Sequence, residues 1–137
     1  MSRTLSMRFQ NLPGSRAGLG RTGTRTLIAD RPDGVAGGQG LGFNGAELLA
    51  AALGGCFWND LHYAAEARGI TLGPVDVAAE VTLDGHPLRV TAAGIRARVA
   101  AETPAQAREC FDAACADSTI ANSVMAAFPV AFAFEDH

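Results

Sequence analysis

The chain has 137 residues, a net charge of −3 and 48% apolar residues. That is enough for one domain with a real core, and too apolar for a disordered chain. The mild acidity argues against nucleic acid as a partner, because phosphate binding needs clustered positive charge. No run of about 20 apolar residues is present to span a membrane, and MSRTLSMRFQ lacks the apolar segment of a secretory signal, so a cytoplasmic address is expected.

Residues 4–10 alternate weakly and predict a first strand. The stretch 11–24 is rich in Gly, Arg and Ser and reads as a loop. Arg16, Arg21, Arg25 and Arg31 gather here without interleaved aromatics, the pattern of a solvated face. A short strand is expected over 25–29. A glycine-rich loop, RPDGVAGGQGLG, then leads into a helix.

That helix is predicted over 45–68, with Asn44 as N-cap and Gly69 as the C-terminal stop. Glu47 falls in its first turn, where a carboxylate suits the helix dipole. Leu48, Leu49, Ala50, Ala51, Ala52 and Leu53 make its first half apolar on every side, so it needs cover all round. One sheet from a chain of this size hardly supplies that cover, and a second subunit is the natural source.

Next, VDVAAEVTL over 75–83 and the run 88–100 flank Asp84-Gly85-His86-Pro87 and predict a hairpin of long strands. A second helix starts near Thr103-Pro104, with proline at its first position. Asp117 or Ser118 marks a restart into a short helix, STIANSVMAAF, and PVAFAFE closes the chain as a last strand. The order predicts an α+β fold, a single domain over residues 1–137.

Gly40-Leu41-Gly42-Phe43-Asn44-Gly45 matches a dinucleotide-binding glycine pattern. The preceding strand ends too early, Glu47 places a negative charge where a pyrophosphate belongs, and the chain lacks the alternating crossover pattern of a parallel sheet. The glycines read instead as aids to tight turning and close packing. No cofactor is expected. His62, His86 and His137 are scattered, and Cys110 and Cys115 lack metal-ligand spacing, so no metal is expected either.

The cysteines number 3, an odd count that is no disulfide framework. Cys56 follows Gly54 and Gly55, each costing roughly 1 kcal/mol in a helix interior relative to Ala, so some close approach must justify them. Cys56 is either inert packing or a working thiol.

The stretch AGGQGLGFNGAELLAAALGGCFWNDL resembles the core signature of the OsmC/organic-hydroperoxide-resistance family, in which a GG-x-G loop leads through an N-P-E-E-L-like helix start to A-x-x-A/G-C-F. STIANSVMAAFPV is similar to that family's second motif, and order and spacing agree from about residue 24 to 134. The resemblance implies an intertwined homodimer, with long central helices wrapped by antiparallel sheets. It also implies thiol-dependent reduction of organic or inorganic hydroperoxides, with a hydroperoxide substrate and a thiol or dithiol reductant as partners. Cys56 would be the nucleophile, and Phe43, Leu53, Phe57 and Trp58 would line an apolar substrate pocket.

Several positions depart from the family pattern. The second family cysteine falls on Ser118, so either Cys115, about one turn earlier, or an external thiol must resolve a sulfenic acid. The family's catalytic glutamate position holds Ala46. Glu47 comes next, but it lies on the far side of the helix from Cys56. The family arginine aligns near Arg21 or Arg25, with the G-R-x-G context favouring Arg21. Asp60, one turn after Cys56, either raises the thiol pKa or caps a network at a dimer interface. These departures leave a rival function open: an OsmC-like stress or ligand-binding protein that has lost efficient catalysis.

Overall fold

A computed structural model of the chain describes residues 1–136; His137 lies outside the described residues. The chain clusters into two compact units, residues 1–48 and 49–137.

The N-terminal unit is a three-stranded antiparallel meander of β1 (Arg8–Asn11), β2 (Gly18–Thr22) and β3 (Arg25–Ala29). β2 lies inside the stretch expected to be a loop. Its glycines hide the strand from a hydrophobic pattern, and the pairing explains them. A Cβ on Gly20 would stand 2.7 Å from the ring of Phe9 on the facing strand, so the ring covers the space that strand side chains would fill.

The glycine-rich loop after β3 is ordered by one carboxylate. Asp30, with a side chain 1% exposed, accepts hydrogen bonds from the backbone N–H groups of Arg31, Gln39 and Leu41 and from Arg31 Nη2. The Leu41 N–H bond leads in holding its pKa below the ordinary value; burial pushes the other way, and the bonds from Gln39 and Arg31 add to the lowering. Gly42 then runs beside β3, where a Cβ would stand 2.1 Å from the Ile28 carbonyl oxygen. The Phe43 N–H donates to that same carbonyl at 2.9 Å. The glycine pattern therefore serves close packing of the backbone, as its sequence context suggests.

Helix α1 (Gly45–Arg68) opens with a reciprocal cap. Glu47 N–H donates to Asn44 Oδ1 at 2.8 Å, and Asn44 N–H donates to Glu47 Oε1 at 3.0 Å.

The C-terminal unit holds the core. Its sheet has the order β4 (Leu72–Asp84), β5 (Arg89–Ala101), β6 (Val130–Glu135). β4 begins earlier than the valine pattern indicates, because a register shift between Leu72 and Val75 accommodates Gly73-Pro74. β4 and β5 are antiparallel. β5 and β6 are parallel, which departs from the expectation of purely antiparallel sheets. The reason is the connection: two helices carry the chain back to the starting edge, so β6 enters in the direction of β5.

The central strand β5 alternates strictly, burying Ala93, Ile95, Ala97 and Val99. Against them pack Leu53, Phe57 and Leu61 of α1, and Ala107, Phe111 and Ala114 of α2 (Pro104–Asp117). The Phe57 ring meets Phe111 edge-on at 5.6 Å and Phe132 at 5.7 Å. α2 starts at a capping box made by Thr103 and Gln106, with Pro104 first in the helix. It stops at Ser118, where α3 (Thr119–Val124) begins. Among the described residues, no helix is long and apolar enough to cross a membrane.

Candidate active site

Cys56 sits mid-way along α1, half-buried, on the flank between the core stripe and the open face of the helix. The two preceding glycines have different settings. A Cβ on Gly54 would approach Ala79 Cβ of β4 to 3.2 Å, so this glycine lets helix and strand come close. Gly55 has nothing within 4 Å of a built Cβ and faces open space. Ala51, Ala52, Trp58, Asn59, His62 and Tyr63 are likewise exposed, so α1 carries one uncovered face.

The Cys56 thiol has one polar partner. Its Sγ donates to Asp60 Oδ2 at 3.5 Å, the contact that a four-residue helical spacing permits. Asp60 is half-buried, and burial is the main reason its pKa lies above the ordinary carboxylate value. The Cys56 thiol and the Ser118 hydroxyl act in the opposite direction, and the Asp117 carboxylate adds to the rise.

Ser118 is the third member of this group. Its backbone joins two helices: its N–H donates to the Ala114 carbonyl at 2.9 Å, and its carbonyl accepts from Asn122 N–H at 3.0 Å. A serine there would ordinarily cap α3 with its side chain, but Ser118 makes no such bond. The residue is 0% exposed, and its Oγ has no hydrogen-bond partner of good geometry. That oxygen lies near enough to the Asp60 carboxyl to favour its charged form.

The other cysteines stand apart from this group. Cys115 is partly buried against the main core, beside Asp112 and Arg108. Burial, reinforced by Asp112, pushes its pKa up to about 11. Cys110 is fully buried with Ala64 and Ala65, and burial likewise raises its pKa. All three thiols are free.

The family model described as "OsmC-like protein" matches residues 37–133. The chain belongs to the OsmC-like family. Solved OsmC-like structures share its α+β fold across nearly their whole lengths. An organic hydroperoxide resistance protein OsmC from Legionella pneumophila is 21% identical, with 97% of each chain covered and a TM-score of 0.73. An OsmC-like protein of unknown function from Vibrio cholerae is 18% identical, covering 98% of this chain and 100% of that one, with a TM-score of 0.77. The organic hydroperoxide resistance protein OhrB of Bacillus subtilis is 18% identical, covering 97% and 98%, with a TM-score of 0.68. Comparison with curated proteins finds no match.

Within this OsmC-like chain the expected site residues come from both units. Cys56 and Cys115 belong to the C-terminal unit, and Arg21, Phe43 and Glu47 to the N-terminal one. Arg21 is exposed on β2, and Phe43 is 49% exposed. Glu47 is committed to the cap with Asn44. Leu53 and Phe57, expected to line a substrate pocket, are 0% exposed core residues. Their spacing from Leu61 places all of them on the stripe packed in the core with β5. Trp58 does border a cavity, of about 390 Å³, with Ala50, Ala51, Gly54, Gly55, Val77 and Ala79. Sequence reasoning weighed Asp60 as a neighbour of the thiol or a cap of an interface network, and Ser118 as a helix restart and a missing cysteine, without grouping the two. The signal for their grouping was the helix break at Ser118, which turns the hydroxyl inward.

Proposed function

We propose that this OsmC-like protein reduces hydroperoxides at the expense of thiols, with Cys56 as the nucleophile. The observation that carries the proposal is Cys56 itself: half-buried in the helix of the family signature, and hydrogen-bonded to an ionisable group. Its thiolate attacks the distal oxygen of the peroxide, the O–O bond breaks, and an alcohol leaves while sulfur becomes a sulfenic acid. One external thiol condenses with the sulfenic acid, releasing water and leaving a mixed disulfide. A second thiol attacks the partner's sulfur in that mixed disulfide, forming a disulfide with the partner and releasing Cys56 as the thiol. An external thiol is favoured because the Cys115 thiol is held protonated by burial, its pKa pushed up to about 11, and the residue that aligns with the second family cysteine is Ser118, which cannot form a disulfide.

Both units are proposed to act together as one domain, since relatives of similar length cover nearly the whole chain. A second copy of the chain is proposed to cover the open face of α1.

The test is consumption of cumene hydroperoxide with a dithiol reductant, by the wild type and by Cys56→Ser. Turnover in the wild type, abolished in the variant, supports the proposal. A variant as active as the wild type sinks it. The rival function, a binding protein of the same fold, is motivated by Ser118 and by the carboxylate beside the thiol. It predicts no turnover in either protein.

A further inference from the structure

The Cys56–Asp60–Ser118 group raises a problem that the peroxidase proposal does not resolve. A carboxylate beside a thiol opposes thiolate formation by like-charge repulsion. Yet the thiol points its hydrogen at that carboxylate, 3.5 Å away, and no cation pairs with Asp60 among the described residues. Behind it, Ser118 Oγ is buried and unpartnered, although a hydroxyl at the start of α3 had a ready cap to make. An orphaned buried hydroxyl has a free-energy cost, so its inward placement calls for a purpose.

We propose that Asp60 is a catalytic proton shuttle, taking the Cys56 thiol proton and giving it to the departing alkoxide. The inference rests on the hydroperoxide reaction proposed above. The step starts from the thiol hydrogen-bonded to the Asp60 carboxylate. As Sγ bonds to the distal peroxide oxygen, the proton passes to Asp60 Oδ2. The O–O bond then breaks, the electron pair goes to the alkoxide oxygen, and Asp60 returns the proton there. The products are a sulfenic acid and an alcohol, and Asp60 ends charged as it began. Sulfur loses two electrons and the peroxide gains them. No further co-reactant is needed.

Physical chemistry favours such a role. An alkoxide is a poor leaving group, so a returned proton assists cleavage of the O–O bond. Burial raises the Asp60 pKa, which brings the carboxyl closer to the range in which it both accepts and donates. The groups that face it are the Cys56 thiol on its own helix, and the Ser118 hydroxyl and Asp117 carboxylate at the end of α2.

Two reagents separate the shuttle from simple electrostatics. Iodoacetamide alkylates Cys56 without needing a protonated leaving group, so it reports thiolate availability alone. Cumene hydroperoxide reports both steps. Cys56 modification by each is followed by mass spectrometry across pH in the full-length wild type, Asp60→Asn, Asp60→Glu and Ser118→Ala. Asp60→Asn is expected to slow peroxide oxidation about a hundredfold, the scale of a lost acid–base group, with no parallel loss in alkylation. Asp60→Glu should restore part of the peroxide rate. Ser118→Ala removes a group that favours charged Asp60, so the acid limb of the peroxide profile should move to higher pH. An Asp60→Asn protein that reacts with peroxide as fast as the wild type, or faster, overturns the shuttle and leaves Cys56 as nucleophile. Equal losses in both reactions also overturn it. A wild-type Cys56 that peroxide oxidises no faster than free cysteine overturns the peroxidase proposal itself.

Discussion

Replacing Cys115 with serine should leave thiol-supported peroxide turnover intact. The magnitude follows from the environment of Cys115. Burial first, then the Asp112 carboxylate, holds its pKa near 11, while Arg108 opposes only in part. At pH 8 such a thiol is about 0.1% ionised, whereas an ordinary thiol with a pKa near 8.5 is about one quarter ionised. Resolution of a sulfenic acid proceeds through the thiolate, whose fraction is about two-hundredfold lower here; the greater nucleophilicity of a more basic thiolate returns about tenfold, leaving Cys115 handicapped about twentyfold. Geometry adds to the handicap. A disulfide needs Cα atoms about 4.4–6.8 Å apart, and Cys115 lies one helical turn before the family's second cysteine position, among core side chains. The assay is peroxide consumption by wild type and Cys115→Ser with an external thiol in excess, followed by non-reducing peptide mapping. A Cys56–Cys115 bridge in the peroxide-treated wild type, with turnover lost in the variant, would refute the one-cysteine cycle and make the displaced cysteine the resolver.

Glu47→Gln should keep both turnover and stability, because glutamine preserves the reciprocal cap with Asn44. Glu47→Ala should cost about 1 kcal/mol in denaturant unfolding; a Glu47→Gln protein with normal stability but no turnover would instead make Glu47 catalytic. The open face of α1 predicts a homodimer burying about 2,000 Å² or more in total. Light scattering over a dilution series checks this, and a compact monomer at micromolar concentration would contradict it.

Elements whose residues repeat with the period of their own structure were legible in the sequence. α1, the β4–β5 hairpin and α2 each carry a stop, a cap or an alternation written locally: Asn44 and Gly69, Asp84-Gly85, Thr103-Pro104. β2 was not legible, because its Gly18 and Gly20 have no side chains to alternate. What makes the segment a strand is the ring of Phe9, brought to it by pairing rather than by neighbourhood in sequence. The parallel entry of β6 was hidden for a related reason. Strand direction is set by the path of α2 and α3, and VAFAFE alternates alike in either direction.

The site divides along the same line. Cys56 and Asp60 are one turn apart on one helix, so their contact follows from spacing alone. Ser118 joins them only through tertiary structure: its position at a helix break turns the side chain inward instead of into the usual cap. Leu53 and Phe57 lie close to Cys56 in sequence but are buried in the core. Next to a cysteine in sequence, they face the sheet in space, because one residue turns an α-helix by about 100°. Proximity in sequence to Cys56 was therefore a poor guide to its surroundings, and helical spacing a good one. The group that results has a carboxylate where an active thiol would ordinarily have a cation, and that carboxylate is what the proposed proton transfer at Cys56 turns on.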